Sequence, residues 1–126
     1  MFFKKKKKES IGKSKRHNVY VVELDPRVWN ESEKFRQANP QYKYGQCCLY
    51  VGMTSHSPSE RFKKHVTGYR NKKGIKISSK FVEKYGKMLR PSLYEKFNPL
   101  TREAAANLER ELANGLKKRG YAVWWN

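Results

Sequence analysis

Acid is what this chain has least of. One aspartate (Asp25) and ten glutamates stand against 29 lysines and arginines, and the acids are scattered. Nucleases that use two cations need several carboxylates to hold them ~3.5–4 Å apart, and no acidic cluster offers such a set. Histidine is also scarce: His17, His56 and His65 are all there are, which excludes a histidine-rich metal site. The only cysteines, Cys47 and Cys48, are adjacent. Neighbours on a strand point to opposite faces, so a disulfide between them would be strained. No Cys/His set has zinc spacing, and both cysteines read as reduced thiols in a reducing compartment. No apolar run approaches the ~20 residues that span a bilayer. Met1-Phe2-Phe3 leads straight into Lys4 to Lys8 without an apolar segment, so no secretory signal is read and a cytoplasmic location is expected.

What the chain has is positive charge. Its net charge is +18 over 126 residues, a length that suits one domain. A field of that sign attracts polyanions, and nucleic acid is the partner it points to first. Residues 1–17 carry eight Lys/Arg and one Glu, and read as a basic, flexible arm. Phe2-Phe3 with five lysines resembles a weak polybasic membrane anchor. The other 109 residues still carry 21 Lys/Arg against ten acids, which favours nucleic acid over a membrane surface.

The remaining chain, 18–126, reads as an α+β domain. Asn18 to Leu24 is apolar on both faces and predicts an interior strand, stopped by Asp25-Pro26. Residues 27–46 are polar and aromatic, with a short helix expected near Glu31 to Ala38. Cys47 to Gly52 predicts a second strand. Ser57, Pro58 and Glu60 form a capping box at the start of a helix whose core stripe is Phe62, Val66 and Tyr69. Gly68 and the run Asn71 to Gly74 end it. A short helix is expected over Ser79 to Tyr85, closed by Gly86. An edge strand follows over Leu89 to Phe97, interrupted by Pro91. Thr101 caps a long helix to about Arg119, ended by Gly120. Tyr121 to Trp125 is a last strand or packed tail. The sequence contains no internal repeat.

Four side-chain types stand out chemically. The stripe of the long helix runs through Ala105, Leu108, Leu112 and Leu116, and at 100° per residue Glu109 falls about 50° from its centre. An acid beside a buried face is costly unless it is paired or metal-bound. Arg61 and His65, four residues apart, are neighbours on one flank of their helix. Arg suits bidentate contact with phosphate, and His65 suits phosphate contact or proton relay. The alternative is a solvated basic flank, since Lys63 and Lys64 lie nearby. Tyr20 and Tyr50 each sit in an apolar strand, where a phenol packs as core or reaches a polar cleft with its hydroxyl.

These residues fall in a familiar order. Asn18-Val19-Tyr20, then Tyr50-Val51-Gly52-Met53-Thr54, then Arg61 and His65, then Leu108-Glu109-Arg110-Glu111-Leu112 resemble the motifs of the GIY-YIG endonuclease family. The resemblance spans roughly residues 18 to 124. It implies a small domain with a central three-stranded antiparallel sheet flanked by helices. It implies hydrolysis of DNA to a 5′-phosphate and a 3′-hydroxyl, with one Mg²⁺ or Mn²⁺ held by Glu109. Arg61 would stabilise charge on the scissile phosphate, one of Tyr20 and Tyr50 would help deprotonate the attacking water, and His65 would assist. Lys63, Lys64, Arg70, Lys72 and Lys73 would contact the nucleic acid. A basic nucleic-acid-binding module without hydrolysis is the alternative. Two departures are visible. Asn18 stands where the family usually has glycine, and residues 25–46 insert between the tyrosine strands. The insertion holds Trp29, Phe35, Tyr42 and Tyr44 among basic residues. It is expected either to shape substrate choice or to pack on its own aromatics.

Overall fold

The computed structural model describes residues 14–67 and 79–125. Residues 1–13, including most of the basic arm, lie outside the described residues, as do Gly68, Tyr69, Arg70 and the run Asn71 to Gly74 with Lys72 and Lys73.

Two seven-residue strands form the centre. Strand β1 (Asn18–Leu24) pairs antiparallel with β2 (Cys48–Thr54), with Tyr20 opposite Gly52 and Val22 opposite Tyr50. Val19, Val21 and Val22 are inaccessible to solvent, so both faces of β1 are covered, as its unbroken apolar run predicts. Cys48 is buried and Cys47 half-buried on the opposite face, and both are free.

Among the described residues the sheet has four strands, in the order β3-β1-β2-β4, not three. Strand β3 (Gly86–Leu89) runs antiparallel to β1, and β4 (Ala122–Trp125) runs parallel to β2. The sheet is therefore mixed. Tyr121 itself stays outside β4. The expected strand over Leu89 to Phe97 is displaced: β3 ends at Leu89, and Pro91–Leu93 and Glu95–Phe97 are single 3-10 turns. Proline has no N–H for a ladder and pre-sets the turn angle. Gly86, expected only to close a helix, already pairs with Leu24.

Asn98 continues the edge beyond these turns. Its side-chain amide donates to the Val19 carbonyl (2.8 Å) and its Oδ1 accepts the Val19 N–H (2.9 Å). Val19 has no exposed surface, so Asn98→Ala would strand a buried donor and acceptor. We expect that substitution to cost about 2 kcal/mol, read as a lower midpoint in chemical denaturation.

Among the described residues, five α-helices pack around the sheet. The insertion holds two, α1 (Arg27–Glu31) and α2 (Glu33–Gln37), where one was expected. They break at Ser32, which is extended and whose Oγ accepts the Phe35 N–H to cap α2. Trp29 packs on Tyr42 at 4.4 Å between ring centroids and edge-on to Phe35, so these aromatics pack on one another, while Tyr44 is almost fully exposed. The insertion is also core. Val28 and Phe35 are fully buried, and buried Asn39 accepts the Val123 N–H at 2.7 Å. Gln41 donates to the Tyr121 carbonyl, and Lys43 N–H to that of Gly120. The inserted residues thereby anchor β4.

Helix α3 (Pro58–Thr67) begins at the expected cap: the Ser57 Oγ accepts the Glu60 N–H and donates to the Glu60 carboxylate. Helix α4 (Lys80–Tyr85) follows Ser79. Helix α5 (Arg102–Lys118) starts at Thr101, whose hydroxyl accepts the Ala104 N–H, and the chain turns at Gly120 with φ +93°. A left-handed φ of that kind is why glycine ends the helix. Among the described residues, no helix is long and apolar enough to cross a membrane.

Two expected stripes are rotated. On α3 the buried residue is His65, while Val66 is 38% exposed and Phe62 half-buried. On α5 the buried line is Ala105, Glu109, Ala113 and Leu116, with Leu108 and Leu112 half-buried. In each case a polar residue holds a position that hydropathy assigns to an apolar one, because its partners come from the sheet.

Candidate active site

Strand register sets the first element of the site. Tyr20 faces Gly52 across the β1–β2 pair. A methyl group built on Gly52 would lie 2.6 Å from both Cζ and the hydroxyl oxygen of Tyr20. The phenol therefore lies flat across β2 in the space that the absent side chain leaves. Its hydroxyl meets His65 Nε2 at 2.7 Å. Tyr50, two residues before Gly52 on the same face, closes a triangle of rings. Centroids are 6.2 Å apart for Tyr20–Tyr50, 6.0 Å for Tyr20–His65 and 5.7 Å for Tyr50–His65. All three side chains are buried.

Helix periodicity adds Arg61, one turn before His65 and half-buried. Its guanidinium hydrogen-bonds Tyr20 and exerts a positive field on Tyr20, Tyr50 and His65. Burial pulls the His65 imidazole down to about 4, and Arg61 pulls the same way, so His65 is neutral at physiological pH. Burial raises both phenols above their ordinary value. For Tyr20 the neighbouring Tyr50 adds to the rise and Arg61 opposes it. For Tyr50 the Glu109 carboxylate adds to it. The two phenols also act on each other, adding to the rise of Tyr20 and opposing that of Tyr50.

Glu109 comes in from α5. It is 8% exposed, and burial pushes its carboxyl up to about 7 against the opposing backbone N–H of Met53. Among the described residues it has no salt bridge. A nearly buried carboxylate without a counter-ion is a costly arrangement that a hard cation relieves. No group of three or more His, Cys, Asp or Glu side chains converges anywhere among the described residues. The oxygen chemistry of Glu109 nonetheless fits a cation such as Mg²⁺, which is commonly held by one or two carboxylates plus water and substrate phosphate.

The five residues singled out in the sequence are thus drawn together from β1, β2, α3 and α5, with Tyr20, Tyr50, Arg61 and His65 in one interacting group and Glu109 acting on Tyr50. Lys63 is exposed and Lys64 half-buried on α3, while Arg70, Lys72 and Lys73 lie outside the described residues. Three further contributors have no site role assigned in the sequence analysis. They are Gly52, the Met53 N–H, and Ser79, whose backbone N–H bonds His65 Nδ1 at 2.8 Å. The signal for Gly52 was its place two residues after Tyr50. Nothing in the sequence signalled the two backbone donors.

Asn18 stands where the resembled family has glycine, yet no described non-glycine residue has a positive φ, so its backbone needs no glycine. Its side chain donates to the His56 carbonyl, bracing the segment that leads into α3. No family model matches the chain, and no curated protein or solved structure is significantly similar to it.

Proposed function

We propose that this protein is a metal-dependent endonuclease of the GIY-YIG type that hydrolyses phosphodiester bonds in DNA with a single cation. The observation that carries this reading is the meeting of Tyr20, Tyr50 and His65 with Arg61 beside them, in a chain of net charge +18. In this reading Glu109 holds one Mg²⁺ or Mn²⁺, which supplies Lewis acidity when bound. Arg61 binds the scissile phosphate and offsets the negative charge that builds there. One of the two phenols helps deprotonate the attacking water: it acts as the phenolate, having first released its own proton to bulk water. Tyr50 is the phenol whose proton the Glu109 carboxylate holds in place, so a cation at Glu109 would favour its phenolate. The basic surface, including Lys63 and Lys64, draws in the polyanion.

The test is cleavage of labelled single-stranded, duplex and branched DNA with Mg²⁺ or Mn²⁺, comparing wild type with Arg61→Ala and Glu109→Ala. We expect wild-type cleavage that EDTA stops, and losses of about 10²-fold or more in each variant. Binding without cleavage in either metal would sink the reading in favour of a non-hydrolytic binding module. Cleavage that survives Glu109→Ala would move the metal to another residue.

A further inference from the structure

Ser79 touches two members of the site in two different ways. Its backbone N–H donates to His65 Nδ1 at 2.8 Å, and its side chain hydrogen-bonds Tyr50, favouring the phenolate. An N–H can only donate. Nδ1 must then carry a lone pair, and a neutral imidazole with a bare Nδ1 carries its proton on Nε2. An imidazolium would set two donors against each other at Nδ1, which agrees with the neutral ring. Nε2 lies 2.7 Å from the Tyr20 oxygen, so His65 donates to Tyr20. The Tyr20 oxygen receives that bond, so its own proton points elsewhere, with the Tyr50 ring beside it at 6.2 Å between centroids. The two donors therefore point one way: Ser79 N–H to His65, and His65 to Tyr20.

We infer that Ser79 is a positioning residue that locks His65 in its Nε2–H tautomer, so that His65 donates to Tyr20 and does not take its proton. The inference rests on the nuclease reading for its catalytic meaning, but the tautomer is a property of the resting protein. Among the described residues, the ionisable and charged groups that touch or act on the imidazole include Tyr20, Tyr50 and Arg61, and the donor seen at Nδ1 is the Ser79 N–H. Hydrolysis then needs no proton transfer to His65. Tyr50, as the phenolate with its own proton already released to bulk water, takes the proton of the attacking water, and His65 holds the geometry of the phenol pair.

Ser79 allows a clean separation of its two contacts. Its φ of −73° and ψ of 133° suit proline, so Ser79→Pro removes the N–H with little backbone change. Ser79→Ala removes only the hydroxyl. The experiment is long-range ¹H–¹⁵N NMR of the imidazole side chains in the full-length protein, with the His65 signal identified by its absence in His65→Gln. In wild type and Ser79→Ala we expect a pyridine-like Nδ1 and a protonated Nε2. In Ser79→Pro we expect both nitrogens at averaged positions, the mark of two exchanging tautomers. A wild-type His65 with the proton on Nδ1 overturns the inference without any variant having to fold. So does a Ser79→Pro spectrum that keeps the wild-type tautomer. Cleavage assays on the same samples keep the two readings apart. Loss of the tautomer pattern with intact cleavage sinks the role of Ser79 alone, and the expected pattern in a protein that never cleaves sinks the nuclease.

Discussion

Replacing Glu109 with glutamine is expected to stabilise the metal-free protein at pH 8 while abolishing its cleavage of DNA. The carboxyl sits near 7 in the folded protein against an ordinary value of 4.5, because burial disfavours its charge. The unfolded chain therefore gives up this proton first as pH rises. The group's favourable contribution is complete below about pH 4.5 and is lost as pH rises through 7. A shift of that size corresponds to on the order of 3 kcal/mol. Glutamine keeps an acceptor for the Met53 N–H and never ionises. Thermal melts without metal should thus show little difference between the two proteins at pH 4 and a gap of several degrees in Tm at pH 8. Added Mn²⁺ should raise the wild-type Tm at pH 8 more than at pH 6, since only the carboxylate binds a cation. It should leave Glu109→Gln unmoved. A glutamine variant less stable than wild type at pH 8 would mean the carboxylate already has a favourable partner.

Gly52→Ala carries the second large effect. The new methyl group would meet the ring carbon and the hydroxyl of Tyr20 at 2.6 Å, which real contacts do not reach. Tyr20 is buried and hydrogen-bonded to His65, so it has little freedom to swing aside. Overpacking of this kind costs typically 1–3 kcal/mol. The larger consequence is at the site. Any relief moves the phenol away from His65 Nε2, and a misplacement of about 1 Å costs on the order of 10²-fold in rate. We expect a folded protein with that loss of cleavage and near-normal DNA affinity in the absence of metal. Gly52→Ala together with Tyr20→Phe should recover stability without recovering cleavage. An alanine variant as active as wild type would mean that the Tyr20 position is not critical.

Local patterns in the sequence were legible where one segment decides its own structure. Asn18–Leu24 is a strand to the residue, the Ser57/Glu60 cap starts α3, and Thr101 and Gly120 bracket α5. Those features depend on neighbours within a turn or two. Strand β4 was ambiguous because its partner in β2 lies some seventy residues away and its docking depends on Asn39. The α3 stripe was read one position off because hydropathy treats histidine as a surface residue, whereas one phenol and a backbone amide satisfy His65 inside. Glu109 was expected on or beside the buried face and lies within it, where Ala105 and Ala113 flank it with little bulk. The side chains of the candidate site carry recognisable chemistry and could be read. The backbone donors of Met53 and Ser79 could not, because every residue but proline has an N–H.

The tie between the insertion and β4 has a consequence for how the site comes into being. Trp124 packs on Phe81, which packs on Phe35, and Asn39 waits for the Val123 N–H. Strand β2, which carries Tyr50 and Gly52, therefore lacks one of its two neighbours until residue 125 has been synthesised. Contacts this distant in sequence form late and slowly. A growing chain thus carries the side chains of the candidate site before the sheet that holds them is complete.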